Sequence, residues 1–312
     1  MNRRDFIRAS MAGAAGLSLL GVPSPAWATD QVRLTILHSN DVHSRIDPYP
    51  MDGRPNAGLG GMARRAHLVN QIRRQEKNVL LFDSGDIWQG TPYFNLFDGE
   101  LEYKLMTQMR YDAATLGNHD FDNGLAGLQR QLPNAGFPFL TANYDFSRTI
   151  LKGRFLDYKI FEKENIKIGV FGLGIELAGL VDSRNYAQTV YLDPLERARA
   201  MVKQLREVEE CNMVICLSHL GFDFTNEPEK INDQKLARQV AGIDVILGGH
   251  SHLFMTEPKI ISHPNGRDTL INQVGKDGLY LGRLDFTFNR RSKEKNSVAS
   301  AVVPVGAVVK TS

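Results

Sequence analysis

Apolar stretches recur along the chain at 34–37, 79–82, 213–217 and 245–247, each running into a polar cluster. Near-continuous apolar runs of this length read as strands buried on both faces. Between them the apolar positions change to helical spacing. That spacing predicts helices over 61–75, 101–109, 125–132, 194–208 and 234–240. The fourth has the clearest start. Asp193 can cap it, Pro194 takes the first helical position, and Leu195, Ala198, Val202, Leu205 and Val208 fall on one stripe. Segments 156–161 and 167–173 flank 162–166 and predict a hairpin, and 271–274 and 281–288 predict further strands. The polar, basic residues 289–299 predict an exposed loop. Strands interleaved with helices, without repeats or a Pro/Gly/Ser-rich linker, predict one α/β domain of mixed sheets with helices outside.

The N-terminus breaks this pattern. Met1-Asn2-Arg3-Arg4-Asp5-Phe6-Ile7-Arg8 is basic, 9–22 is apolar and rich in small residues, and Ala26-Trp27-Ala28 follows. A basic start, a short apolar middle and a small-x-small end predict a secretory signal peptide over 1–28. Adjacent Arg3 and Arg4 followed by Phe6 predict the twin-arginine type, with 29–312 as a domain exported to the periplasm or beyond. A retained membrane anchor is the competing reading, but so short a stretch of Gly, Ala and Ser makes a poor bilayer span. Cleavage after Ala28 leaves 284 of the 312 residues, enough for a large core. It removes three of 37 basic and one of 35 acidic residues, so 34 of each remain. That balance gives no support for a nucleic-acid polymer or an anionic membrane as partner. No later apolar stretch is long enough to cross a bilayer, so no transmembrane span is expected in the mature chain. Cys211 and Cys216 bracket a predicted strand. Their odd separation puts them on opposite faces, and residues at about 3.3 Å each hold them apart, so no disulfide is expected.

The candidate chemistry lies where apolar runs end. Asp41-Val42-His43, Gly85-Asp86, Gly117-Asn118-His119-Asp120, Ser218-His219 and Gly248-Gly249-His250-Ser251-His252 follow in that order. Residues just past a strand lie at one rim of a sheet, so these segments can converge. Their ligand-type side chains (Asp41, His43, Asp86, Asn118, His219, His250 and His252) suit two borderline divalent cations sharing one carboxylate. His250 and His252, two apart on an extended segment, would reach neighbouring ions. A lone D-x-H or G-D is weak, because Asp41 could simply cap a turn; the ordered series carries the signal. Asp83 is expected either to orient the Asp86 loop or to close a turn. His38, His67 and His263 are expected to pack or to face solvent. Gly-x-Ser-x-Gly does not occur, and Gly58-Leu59-Gly60-Gly61 lacks the Lys-Ser/Thr continuation of a phosphate-binding loop.

With these motifs the chain resembles the calcineurin-like metallophosphoesterases, and more closely the catalytic domain of the 5′-nucleotidases. The likeness also rests on His38-Ser39-Asn40 before Asp41, Asp83-Ser84 before Gly85, Gly90-Thr91-Pro92-Tyr93, Asn95-Leu96-Phe97-Asp98-Gly99 and Phe121-Asp122-Asn123-Gly124, and covers 33–288. It implies a four-layer fold in which two mixed β-sheets pack as a sandwich with helices outside. It implies one metal on Asp41, His43, Asp86 and His252 and a second on Asp86, Asn118, His219 and His250, the ions being Zn, Mn, Fe or Co. His119 would face the phosphate and Asp122 would orient its ring; the plain alternative for Asp122 is helix capping. Nucleotidases often carry Gln where this chain has His252, so metal preference is where a departure is expected. The implied activity is hydrolysis of 5′-nucleotides or related phosphate esters, with a hydroxide held by the two ions attacking phosphorus. Such nucleotidases usually carry a second, C-terminal domain that grips the nucleoside, whereas this sequence stops at Ser312. A separate specificity protein or a wider range of esters is then implied. A thiohydrolase of sulfur oxidation on the same scaffold and a non-catalytic metal-binding subunit are the competing readings.

Overall fold

The computed structural model describes residues 30–264 and 267–306; the expected leader lies outside the described residues. The strands, in chain order, are β1 (Gln31–Ser39), β2 (Val79–Asp83), β3 (Ala113–Ala114), β4 (Tyr144–Asp145), β5 (Tyr158–Lys163), β6 (Ile166–Leu173), β7 (Val190–Tyr191), β8 (Met213–Ser218), β9 (Val245–Gly248), β10 (Lys259–Ser262), β11 (Asp268–Asn272), β12 (Tyr280–Asn289) and β13 (Lys295–Pro304). One sheet has the order β13-β12-β1-β2-β3 and the other β10-β11-β9-β8-β6-β5, while β4 and β7 pair separately. The apolar runs form the parallel centres, β1-β2-β3 in one sheet and β6-β8-β9-β11 in the other. Antiparallel strands complete both sheets.

Alternation along the strands divides the apolar side chains into three cores. Val32, Leu34 and Ile36 of β1 meet Met213, Ile215 and Leu217 of β8 between the sheets. Leu37 and Leu81 face outward, onto Val69 and Ile72 of the helix Met62–Gln75 and Tyr103 and Met106 of the helix Glu100–Gln108. Val214, Cys216 and Ile246 face the other way, onto Leu195, Ala198 and Met201 of the helix Pro194–Lys203 and Leu236 of the helix Asp233–Gln239. Helix, sheet, sheet and helix therefore form the four layers expected of this α/β sandwich. Among the described residues, no helix is long and apolar enough to cross a membrane.

Asp193 caps its helix as expected, accepting from Glu196 N, but the α-helix stops at Lys203 and Gln204–Val208 continues as π-helix. The predicted hairpin forms between β5 and β6, with its turn at Glu164 and Asn165 in left-handed backbone (φ 49° and 66°). Two expectations fail. The first is the loop at 289–299, which turns back sooner. From Lys295 the chain runs as β13 beside β12, and Thr287 and Ser297 share a hydroxyl hydrogen bond of 2.6 Å across the pair. β13 is an edge strand, where Lys and Ser are tolerated and no apolar run is required. The second concerns the thiols. Both are free and buried, but both lie in the outer core beneath the helices. Cys211 precedes β8, so strand alternation does not govern it. The helix Pro92–Phe97 and strand β10 had no counterpart in the sequence pattern.

Candidate metal centre

Parallel strands from both sheets end at one rim, as ligand crevices in open α/β sheets do. The segments after β1, β2, β3, β8 and β9 carry the candidate ligands. Their turns are tight. Asp41, His43, Asp86, His250 and His252 all have left-handed backbone, with φ of 51°, 49°, 56°, 71° and 53°. Such conformations cost non-glycine residues about 1–3 kcal/mol each and persist where surrounding structure enforces them. They also correct the extended backbone expected at His250 and His252, although the two rings still stand in different ligand groups. Gly117 serves close approach, since a Cβ there would lie 2.2 Å from Asp86 Oδ1.

Two groups of ligand atoms result, each with its members within 4.8 Å of one another: Asp41, His43, Asp86 and His252, and Asp86, His219 and His250. Asp86 belongs to both. Asn118 joins the second through Oδ1, 2.9 Å from His250 Nδ1. In the first, Nε2 of His43 and Nε2 of His252 approach to 2.9 Å.

The ring of His219 tests whether these groups suit a cation. Its Nδ1 lies 2.7 Å from Ser84 O, which places the ring proton there. Nε2 is buried and has no hydrogen-bond partner, although Asp86 Oδ2 is 3.2 Å away. A histidine oriented by a backbone carbonyl, with its other nitrogen free beside carboxylates, has the form of a metal ligand. The His43 ring is similarly disposed, with Nδ1 3.4 Å from Trp88 O.

The electrostatics fit a cation too. Burial pushes the Asp41 carboxyl up to about 8 against the pull of His219. Burial would also raise Asp86, but His219 first, then His43 and His119, hold it well below the carboxylate range. His219 rises to about 10 because Asp86 and Asp41 outweigh its burial. Burial pushes His250 down to about 3 and His252 to about 4. Protons that balance buried carboxylates are those a divalent cation displaces on binding.

His119 sits at the open side of the centre, with its side chain 36% exposed. Its backbone N–H donates to Asp86 Oδ1 at 2.8 Å, and its Nδ1 lies 2.9 Å from Asp122 Oδ2. That hydrogen bond raises the pKa of His119 against its burial. Asp122 does not cap the helix Gly124–Gln131: Asn123 occupies its N-cap, with no side-chain cap bond.

Asp83 supports the Asp86 loop, accepting from Gly85 N at 2.9 Å and from Ser39 Oγ at 2.6 Å. Three further residues escaped the sequence reading. Asp120 accepts from the backbone N–H of Gly117 (2.8 Å), Asp86 (3.0 Å), Ile87 (3.1 Å) and Trp88 (3.3 Å). Asn40 donates to Asp41 Oδ2 at 2.6 Å and to Gly275 O at 2.7 Å. Gln273 donates to Gly249 O at 2.7 Å and accepts from Ser251 Oγ at 3.0 Å and Leu253 N at 3.0 Å. Asp120 and Asn40 stood beside candidate ligands, which was a signal; Gln273 had none. The remaining histidines lie away from the centre. His38 packs in β1 with Nε2 2.8 Å from Asn272 Oδ1, His67 is exposed on a helix, and His263 lies near Thr269.

Two sheets, a shared aspartate and two ligand groups define a metallophosphoesterase-type centre. The model of the calcineurin-like phosphoesterase family matches residues 34–254, and the chain belongs to that family of metal-dependent phosphoester hydrolases. Snake venom 5′-nucleotidase of Crotalus adamanteus is 36% identical over 299 residues, covering 89% of this chain and 48% of the relative. The 5′-nucleotidase of Vibrio cholerae is 35% identical over 326 residues, covering 96% of this chain and 56% of the relative. Among solved structures, the 5′-nucleotidase precursor from Thermus thermophilus superposes with a TM-score of 0.79 at 32% identity, covering 88% of this chain and 55% of that one. The chain thus spans about half the length of the relatives it matches.

Proposed function

We propose that the chain is an exported two-metal phosphohydrolase that cleaves 5′-nucleotides or related phosphate esters. The observation that carries this reading is Asp86 standing in both ligand groups. Asp41, His43, Asp86 and His252 would hold one cation. Asp86, Asn118, His219 and His250 would hold the other. Two divalent ions bound there would supply charge compensation and a water acidic enough to act as nucleophile near neutral pH. The chain's own residues do the rest. Asp86 sets the spacing of the two positions, and Ser84 O fixes the tautomer of His219. His119, at the open side, would donate to a phosphoryl oxygen or to the leaving group, with its ring held by Asp122. Nucleoside recognition beyond this centre falls to the chain's own rim or to a separate specificity protein, and the export route to the Arg3-Arg4 leader.

The test is hydrolysis by the chain from residue 29, stripped of metal and reloaded with Mn or Zn, followed as orthophosphate from the monoesters and as the freed monoester or p-nitrophenol from the other substrates. The panel is 5′-AMP, 5′-UMP, UDP-glucose, 2′,3′-cyclic AMP and bis(p-nitrophenyl) phosphate. Preference for the 5′-mononucleotides supports nucleotidase action by this chain. Activity on the aryl ester alone supports the chemistry and assigns nucleoside selection elsewhere. No hydrolysis of any of them with both metals bound overturns the reading.

A further inference from the structure

Arg65 is a buried cation that the chemistry above does not use. It lies on the helix Met62–Gln75 with no exposed surface, and its Nε and Nη2 have no hydrogen-bond partner among the described residues. Gly278 makes room for it, since a Cβ there would lie 1.5 Å from Nη2. A buried charge persists where something compensates it. Nη1 supplies the link, donating to Tyr111 Oη at 3.4 Å. Tyr111 Oη lies 2.7 Å from Ser39 Oγ, and Ser39 Oγ donates to Asp83 Oδ2 at 2.6 Å. Each hydroxyl has one proton to give. Ser39 gives its proton to Asp83, so Tyr111 must donate to Ser39, and the phenol oxygen is left to accept from Arg65. The chain therefore has one polarity, from guanidinium to carboxylate. All four side chains are buried, where hydrogen bonds with an ionised end are strong and reinforce one another.

The chain ends at the metal centre. Ser39 closes β1 and Asp83 closes β2, side by side in register. Asp83 Oδ1 accepts from Gly85 N at 2.9 Å, in the left-handed turn (φ 90° at Gly85 and 56° at Asp86) that carries the shared aspartate. We propose that Arg65 is a positioning residue: through Tyr111, Ser39 and Asp83 it fixes the turn that aims Asp86 at both cation positions. The inference rests on the two-metal reading above.

The test compares wild type, Arg65→Met, Tyr111→Phe and the double variant, each shown to be folded by urea unfolding. Mn binding to the metal-stripped proteins is measured by calorimetry, and coupling between the paired Mn ions by electron paramagnetic resonance. Each single variant should weaken Mn binding about tenfold, the lower end of the range for residues that support metal ligands. The double variant should lose no more than the worse single one, because both substitutions cut the same chain. The coupling signal should change alike in all three, since it follows the carboxylate shared by the ions. Arg65→Lys, which keeps the charge, should recover part of the loss, and it replaces Arg65→Met in the cycle if that variant does not fold. Unchanged Mn affinity in either single variant overturns the inference. So do additive losses, or lower stability with Mn binding and coupling intact, since each marks a packing role. If wild type binds fewer than two Mn ions, the two-metal reading itself fails and takes the inference with it.

Discussion

Replacing Asp120 should unfasten the centre without removing a single candidate ligand. Its buried carboxylate accepts four backbone N–H groups, from Gly117, Asp86, Ile87 and Trp88, at 2.8 to 3.3 Å. It therefore clamps the loop after β2 to the loop after β3. Asp120→Ala strands all four donors in a buried setting. Each orphaned group costs about 1–3 kcal/mol. With water relieving some of them, the net loss should be about 3–6 kcal/mol, a large part of the 5–15 kcal/mol typical of a folded domain. Asp120→Asn keeps one carbonyl oxygen but turns an NH2 toward the remaining donors, so about 2–4 kcal/mol should be lost. Urea unfolding followed by tryptophan fluorescence measures this directly. The chain has two tryptophans, Trp27 and Trp88. A chain begun at Thr29 retains only Trp88, whose backbone N–H bonds to Asp120. Metal uptake by both variants should fall in the same order as stability. A loss below about 1 kcal/mol for Asp120→Ala, with uptake unchanged, would refute the clamp, because the four donors would then have other acceptors.

Three further outcomes are expected. His119→Ala should lower kcat by about 10²–10⁴-fold with metal content intact, and unchanged kcat would remove it from the chemistry. Asp86→Ala should bind neither metal normally, because it deletes the residue common to both ligand groups; two metals found by elemental analysis would refute that assignment. Asp244 accepts from Val214 N at 2.8 Å, pairs with Lys295 of β13 at 2.9 Å, and also meets Arg206. Burial alone would raise its pKa, but Lys295 and Arg206 hold it below the ordinary value. A depressed folded-state pKa stabilises above the unfolded value of about 3.9 and ceases to do so as pH falls through the folded one. Asp244→Asn should thus cost about 2–4 kcal/mol at pH 7 in urea melts, and the gap should close below about pH 4. A gap independent of pH would contradict the ion-pair account.

Residues whose environment is written locally were legible from sequence. The runs at 34–37 and 213–217 are apolar because both sheet faces are covered, and that demand falls on every position of the strand. Asp193 and Pro194 declared a helix start, because a cap and its first turn are neighbours in the chain. The ligand series was legible in its order, since each segment directly follows a strand that ends at the same rim. Tertiary structure decided the rest. β13 exists because β12 offers it an open edge, and an edge strand needs no apolar signature. Sequence spacing suggested that His250 and His252 would reach neighbouring ions from an extended segment; they stand in different ligand groups, but through left-handed turns held by Asp41, Asn118 and Gln273 from elsewhere in the chain. Asp120 gains its role only where loops from β2 and β3 meet. A sequence pattern records how buried each residue must be, whereas loop dihedrals and long-range hydrogen bonds depend on which distant segments arrive beside them.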